Sequence, residues 1–157
     1  MLKNYIIAVL ISMVPLIELR GGVLAAMTMG MSGPEAIMVC AIGNMLPVPF
    51  IYLFARKVLI WGSTKPYIGP VFGKILDKGE KAGQKMVAKA SRGGLFVALL
   101  LFVGIPLPGT GAWTGTLAAS LLNMGWKSTT GAVSLGVVLA GIIMATVSSL
   151  GLHIFGM

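Results

Sequence analysis

The stretch that decides the fold is Val14-Pro15-Leu16-Ile17-Glu18-Leu19-Arg20-Gly21-Gly22, in the middle of the apolar run 5–31. Ionisable side chains at membrane depth are costly, so they usually face the protein interior or water and mark a pathway. Backbone groups freed by a proline or a glycine pair are tolerated there only where protein or a water-filled cavity receives them. The stretch therefore predicts a broken helix with Glu18 and Arg20 at its break. The alternative is a kinked spanning helix in which this pair only offsets its own burial cost.

The composition is that of an integral membrane protein. Of the 157 residues, 57% are hydrophobic and 10% are charged, whereas soluble domains carry about 25% charged residues. The length allows one membrane domain, and the 22 glycines suit transmembrane helices that pack closely on one another. We therefore expect a single-domain, multi-pass protein of the inner (plasma) membrane.

Apolar stretches recur four times, and each is long enough for a membrane span, which takes about 20 residues. They lie at 5–31, 36–61, 95–122 and 130–155. Pro15 interrupts the first, the run 105–111 interrupts the third, and an uninterrupted stretch follows each. This indicates two copies of one unit, 1–61 and 94–157, joined by a linker at 62–93. If the broken segments are re-entrant hairpins, the units form an inverted repeat with a site near the midplane. The predicted fold is then all-α, each repeat being a re-entrant helical hairpin followed by a transmembrane helix.

The linker is strongly basic, since nine of the twelve Lys and Arg residues lie between Arg56 and Arg92. Its lysines recur every three or four residues opposite an apolar stripe, which predicts an amphipathic helix over 71–90 on anionic lipid headgroups. These membrane-surface lysines are Lys74, Lys78, Lys81, Lys85 and Lys89. A solvated helix packed on the protein's own loops is the alternative. The positive-inside rule places the linker in the cytoplasm. Re-entrant hairpins then put both termini outside, whereas four full spans put both inside.

Two other features leave alternatives open. Asn44, followed by two prolines, needs a partner at membrane depth; its segment either coordinates a substrate or packs against the first broken segment. Ala132, Gly136 and Ala140 repeat every fourth residue, which favours close helix contact either within the chain or across a homodimer.

Several classes of function are not expected. The single cysteine and the lack of Cys/His ligand spacing predict no metal and no cofactor. The chain offers no Ser/His/Asp set, so we do not expect an enzyme. No basic motif interleaved with aromatic residues occurs, so we do not expect nucleic acid as a partner.

Two motifs carry a family resemblance, Pro15-Leu16-Ile17-Glu18-Leu19-Arg20-Gly21 and Ile105-Pro106-Leu107-Pro108-Gly109-Thr110-Gly111-Ala112-Trp113-Thr114-Gly115. Together they resemble the small multidrug export protein family, which looks like a branch of the DedA (VTT-domain) superfamily. That resemblance implies two embedded hairpins that move lipid phosphates, such as polyprenyl-phosphate carriers or phospholipids, using a proton or sodium gradient. It also implies that Glu18 binds the coupling ion or proton. The second motif lacks the arginines usual in that superfamily, so Arg20 and Arg92 would recognise the phosphate.

The expected substrate site draws on both broken segments. Arginine offers a planar fork for phosphate, and the free N–H groups at half-helix starts, around 21–23 and 109–112, bind anions. The substrate-binding residues we expect are Arg20, Gly21, Gly22, Asn44, Arg92, Pro108, Gly109, Thr110, Gly111, Trp113 and Thr114. We therefore expect a gradient-coupled translocase of an amphipathic phosphate. The first alternative is a small proton-coupled multidrug exporter of lipophilic compounds, in which Glu18 exchanges a proton for a lipophilic cation, although Arg20 would repel such a cation. A membrane scaffold whose linker recruits a partner is the second alternative.

Overall fold

The computed structural model of this chain describes residues 2–15, 17–74, 76–77, 92–107 and 109–155, without the side chains of 92 and 152–155. Within these ranges every regular element is helical, which confirms the all-α prediction. The helices are α1 (Leu2–Met13), α2 (Glu18–Thr28), α3 (Gly33–Met45), α4 (Val48–Ser63), α5 (Arg92–Gly104), α6 (Ala112–Leu121) and α7 (Trp126–Phe155). Most of the predicted linker helix over 71–90 lies outside the described residues.

Proline and capping residues set several helix boundaries. The first helix ends at Met13, because Pro15 disfavours the helical conformation of the residue before it, Val14. A capping box starts α3, where Glu35 reaches back to the Ser32 N–H at 3.3 Å. Pro47 precedes α4 and Pro49 lies in its first turn, where the missing N–H removes no helical bond. The predicted uninterrupted span over 36–61 is therefore two helices with a break at 46–47.

Within the described ranges, two helical stretches are long and apolar enough to cross a membrane, Gly33–Ser63 and Trp126–Gly151. The helices on either side of the sequence breaks are much shorter. α1 has 12 residues and α2 has 11, so at 1.5 Å per residue each reaches about 18 Å or less. α5 has 13 residues and α6 has 10, so each reaches about 20 Å or less. None of the four alone covers the hydrocarbon core, which is about 30 Å thick.

The short helices of the first unit fold back on each other. Asn4 at the start of α1 donates to the carbonyl of Met29 after the end of α2, at 3.4 Å. At the other end of the pair, Gly22 of α2 lies against Ser12 of α1, with no room between them for a Cβ. α1 and α2 therefore form an antiparallel helical hairpin.

The second unit repeats this arrangement. Gly115 of α6 packs against Val103 near the end of α5, and a Cβ there would lie 2.6 Å from a Val103 methyl. Leu95 near the start of α5 and Leu122 after α6 line one cavity at the other end of the pair. α5 and α6 thus form a second antiparallel hairpin.

α3, which opens the helical stretch Gly33–Ser63, packs against the long helix α7, and the two run in opposite directions. Gly33 at the start of α3 lies near Ala145 of α7, whereas Met45 at its end lies near Ser134, whose hydroxyl is 3.8 Å from the sulfur. Gly136 of α7 packs against α5, where an added Cβ would lie 2.8 Å from the carbonyl oxygen of Leu100. Ala132 and Ala140 are buried beside it, so the small-residue stripe on α7 makes close contacts within the chain.

The two hairpins also end in the same way. A residue with left-handed backbone follows each, Gly30 (φ 89°) after α2 and Asn123 (φ 52°) after α6. The N–H groups of Met31 and Met124 then donate to the carbonyls five residues earlier, at 3.1 and 3.0 Å. This is the Schellman ending of a helix, and it recurs at the same interval of 93 residues for both pairs.

Candidate functional site

Glu18 is a buried carboxylate at the start of α2, with 6% of its surface exposed. Its side chain crosses to the second hairpin, where the Trp113 N–H donates to Oε1 at 3.1 Å and the Ala112 N–H also acts on the carboxylate. These are the first N–H groups of α6, which lack partners within the helix. The helix dipole and free N–H groups stabilise an anion at such a position. The anion that occupies the start of α6 is therefore the chain's own Glu18.

The backbone of Glu18 is strained. Its φ of 51° lies in the left-handed region, where a residue other than glycine costs on the order of 1–3 kcal/mol. Such outliers cluster at functional sites because the surrounding contacts must hold them in place. The hydrogen bond from the start of α6 to the Glu18 carboxylate is a contact that holds this residue in place.

Gly111 leaves the space that this carboxylate fills. A Cβ at Gly111 would lie 2.5 Å from Cδ of Glu18, 2.7 Å from Oε1 and closer still to Oε2. The φ of Gly111 is 162°, an extended conformation that any residue adopts. The glycine is therefore required for its missing side chain, not for its backbone freedom.

Arg20 binds the segment 105–111, the second break, on the side that follows α5. Its guanidinium donates to the carbonyls of Leu107 and Thr110, to the Thr110 hydroxyl at 2.8 Å and to the Ile105 carbonyl at 3.4 Å. The Thr110 hydroxyl in turn reaches the Leu107 carbonyl at 2.9 Å. These carbonyls follow the end of α5, where a cation interacts favourably with the helix dipole.

Glu18 and Arg20 together form a cross-hairpin clamp, the Glu18–Arg20 clamp. Both side chains direct their hydrogen bonds to the backbone of the second break, Glu18 to the start of α6 and Arg20 to the carbonyls after α5. Each charge thus meets the helix end of opposite polarity. Breaking the clamp would free both ends of the second break at once.

A small polar cavity adjoins the clamp. It has a volume of about 10 Å³, and Glu18, Arg20, Asn44 and Gly111 contribute to its lining. Asn44 is 2% exposed, and its Oδ1 has no partner among the described residues. The volume is at the lower limit for one water molecule, and a buried oxygen without a protein partner is often satisfied by water. The site thus suits one water between the amide and the carboxylate.

A large apolar cavity lies on the other side of the α6 start, and it is open on one side, since Phe50, Phe54 and Val58 of its wall are each more than half exposed. Its volume is about 880 Å³, within the range of about 300–1,000 Å³ typical of small-molecule sites. The end of α1, the α3–α4 break, α4 and α6 form its wall, through Met13, Pro15, Leu46, Pro47, Phe50, Ile51, Phe54, Ala55, Val58, Leu59, Trp113, Thr114 and Leu117. None of these residues is charged. Trp113 joins the two features, because its backbone N–H binds Glu18 and the residue contributes to the lining of this cavity.

Comparison with known protein families shows which family this chain belongs to. Residues 18–143 match the family model described as "Putative small multi-drug export protein". The chain belongs to this family. A search of the curated proteins and of the solved structures finds no significant match. Family membership and the two helices of spanning length indicate a membrane protein; placement within the DedA superfamily stays a prediction.

Several residues that the sequence predicted for the substrate site do come together. Glu18, Arg20, Asn44 and Gly111 meet around the small cavity. Thr110 binds Arg20, and Trp113 and Thr114 line the large cavity. Their roles toward a substrate stay predictions.

Other predicted residues lie elsewhere. Gly21 and Gly22 are inside α2, because the helix already begins at Glu18; the Gly21 N–H donates to the Ile17 carbonyl at 3.1 Å. The expectation of free N–H groups around 21–23 was therefore wrong. Gly109 forms a left-handed turn (φ 80°) with open space around it. Arg92 begins α5, and neither its side chain nor Pro108 is among the described parts of the chain.

Sequence reasoning missed the α4 wall of the large cavity, including Phe50, Phe54 and Val58. Apolar residues within an apolar helix give no pattern that separates a cavity wall from a lipid-facing surface. The one available signal was the proline pair Pro47 and Pro49, which breaks the helix at the edge of the cavity.

Proposed function

We propose that this chain is a secondary transporter that exports lipophilic compounds, with its cargo in the large apolar cavity and Glu18 coupling its movement to a proton or ion gradient. One observation carries the proposal. The carboxylate of Glu18 is buried, its backbone is strained, and it accepts a hydrogen bond from the N–H of Trp113 at the start of α6. Trp113 also forms part of the cavity wall. Buried carboxylates at membrane depth mark proton and ion pathways. Membership of the small multi-drug export family supports the same class of substrate.

The lining of the cavity favours a lipophilic cargo over a phosphate. Among the described residues, those that form the cavity wall carry no charged side chain. The two elements that suit phosphate, the Arg20 fork and the start of α6, are both engaged, one by backbone carbonyls and the other by Glu18. Translocation of an amphipathic phosphate remains a second candidate, because the start of α6 is an anion site that a phosphate could enter once Glu18 leaves it.

The membrane arrangement that we propose is an inverted repeat of two re-entrant hairpins, each followed by a long helix. Three observations support it. All four hairpin helices are too short to span. α3 and α7, which follow the two hairpins, run in opposite directions, and both hairpins end in the same Schellman arrangement. Tags on the two termini would test it: both should be accessible from outside intact cells, and accessibility from the cytoplasm alone would refute it.

Coupling follows from the charge of the clamp. Ionised Glu18 binds the N–H groups of α6 by charge-assisted hydrogen bonds, which are about twice as strong as neutral ones. When a proton binds the carboxylate, that charge is lost and the hold on α6 weakens. Trp113 can then shift at the cavity wall and change the access of the cargo. Loss of the proton on the other side of the membrane restores the clamp.

The test is transport by purified protein in vesicles with an imposed pH gradient, using a lipophilic fluorescent dye as the probe. Glu18→Gln keeps the size of the side chain and removes the ionisable group, so we expect dye movement to lose its dependence on the gradient. Glu35→Gln is the matched control, because Glu35 lies in the capping box of α3, away from the clamp. A Glu18→Gln protein with wild-type gradient dependence would refute the proposal.

A further inference from the structure

The second half of α4 and the connection between α6 and α7 meet at one end of the molecule. The Tyr52 hydroxyl donates to the Met124 carbonyl, and the Arg56 guanidinium donates to the side-chain oxygen of Asn123. The rings of Tyr52 and Trp126 lie 5.1 Å apart between centroids. α3 begins at the opposite end, beside the C-terminal half of α7.

Positive charge is concentrated at the end where α4 and the α6–α7 connection meet. Lys57 of α4, Lys65 after it and Lys127 in the first turn of α7 are all exposed. Arg56 adds a further cation, although its guanidinium is engaged by the α6–α7 connection. Asp77 is the acidic residue that the structure describes on this part of the chain, so the surface keeps a net positive charge.

Aromatic side chains lie among these cations. Trp61 is 60% exposed, Trp126 is 40% exposed and Tyr67 is 94% exposed. The Lys65 ammonium lies 4.7 Å from the centroid of the Trp61 ring. Tryptophan and tyrosine are enriched at the interface between a membrane and water, where lysine keeps its charged group in the polar layer. This combination places the end of α4 at the level of the lipid headgroups.

The opposite end of the molecule differs in charge. Among the described residues there, the charged side chains are Lys3 at the start of α1 and Glu35 at the start of α3, and their charges are opposite in sign. The two ends are therefore unlike, and Lys3 provides a matched control for the lysines at the α4 end.

We propose that the basic aromatic surface, formed by Lys57, Lys65, Lys127, Trp61 and Trp126, binds the anionic headgroups of phospholipids. A lysine near a membrane surface is attracted to anionic lipid, with a gain of roughly fivefold for each such residue. The cytoplasmic leaflet carries the anionic lipids, so this contact also fixes which end of the molecule faces the cytoplasm. The inference concerns the lipid contact and does not depend on transport or on its cargo.

The experiment measures which lipid lies beside the two tryptophans of this surface. Bromine atoms on lipid acyl chains quench tryptophan fluorescence on contact. Full-length protein is reconstituted in bilayers that mix anionic phosphatidylglycerol with zwitterionic phosphatidylcholine, and one lipid at a time carries the bromine. A Trp113→Phe background removes the third tryptophan of the chain, so the emission comes from Trp61 and Trp126. We expect phosphatidylglycerol to quench more strongly than phosphatidylcholine at equal fractions.

Charge-removing variants locate the preference. Replacement of Lys57, Lys65 and Lys127 by glutamine should lower the relative affinity for phosphatidylglycerol about 3- to 10-fold, toward equal binding. Arg56 is kept, because its contact with Asn123 holds the α6–α7 connection. Lys127→Gln alone should lower the preference about 2- to 5-fold, whereas Lys3→Gln, which changes the net charge equally, should leave it unchanged. An unchanged circular dichroism spectrum shows that each variant is folded.

Four results would overturn the proposal. Equal quenching by both lipids in the protein with all its lysines would show that the surface has no lipid preference. A preference that survives in the triple variant would place the anionic lipid elsewhere, and equal losses from Lys3→Gln and Lys127→Gln would reduce the effect to overall charge. Loss of the preference on addition of inorganic phosphate at constant ionic strength would indicate a site for the free ion instead of a leaflet. None of these measurements involves Glu18, a pH gradient or dye movement, so failure here is distinguishable from failure of the proposed function.

Discussion

Gly111→Ala tests the clamp most directly, because the structure gives one steric reason for its effect. The added Cβ would lie 2.5 Å from Cδ of Glu18 and 2.7 Å from Oε1, so the carboxylate must leave the start of α6. Hydrogen bonds to a charged group contribute about 1.5–3 kcal/mol, and the displaced carboxylate loses its partners in a buried site. We expect the free energy of unfolding to fall by about 2–4 kcal/mol.

The assay is a double-mutant cycle in mixed micelles, with unfolding followed by tryptophan fluorescence. In a Glu18→Ala background the carboxylate is absent, so Gly111→Ala should cost less than about 0.5 kcal/mol, which is the usual error of additivity. Gly125→Ala is the control, because nothing lies within 4 Å of a Cβ at that position. Equal losses from Gly111→Ala in both backgrounds would refute the reasoning, since the effect would then not act through Glu18.

Two further predictions concern packing and the other half of the clamp. Gly43→Ala places a Cβ 2.6 Å from the carbonyl oxygen of Val9. Because this backbone atom cannot rotate away, we expect the free energy of unfolding to fall by about 1–3 kcal/mol. Gly33→Ala, where the nearest atom is at 3.7 Å, should be tolerated, and similar losses from both variants would contradict the argument. Arg20→Lys replaces a fork by a single ammonium group and should cost about 1–3 kcal/mol, with faster amide hydrogen exchange around Thr110; unchanged exchange there would exclude Arg20 as the residue that holds this loop.

The sequence located the residues of the clamp but not the clamp itself. Glu18, Arg20 and the run 105–111 were identified because charges, prolines and glycines are unusual at membrane depth. The contacts between them join residues 85–95 positions apart, and no local pattern encodes such a pairing. The same chemistry that suits an external phosphate, a fork of donors and a free helix start, also suits backbone carbonyls and an internal carboxylate.

Other features escaped prediction for physical reasons of their own. A half-helix start was expected around 21–23, yet α2 begins at Glu18, which itself takes the left-handed conformation. The α4 wall of the cavity is as apolar as a lipid-facing surface. By contrast, the two breaks could be located because each contains a proline and small residues in the same order; the inverted repeat that they suggest stays a prediction.

The clamp also constrains the choice between the two candidate cargoes. The start of α6 offers a few free N–H groups, and Glu18 already binds the N–H of Trp113 there, so an anionic cargo and the ionised carboxylate would compete for one position. A phosphate translocase would then gain affinity for its cargo when Glu18 is neutralised, because its internal competitor loses its charge. A lipophilic cargo in the uncharged cavity would meet no such competitor, and neutralising Glu18 would alter its coupling while leaving its affinity almost unchanged. The comparison therefore needs both kinds of probe: in Glu18→Gln an anionic lipid phosphate should gain affinity if it is the cargo, whereas the affinity of a lipophilic dye should stay almost unchanged.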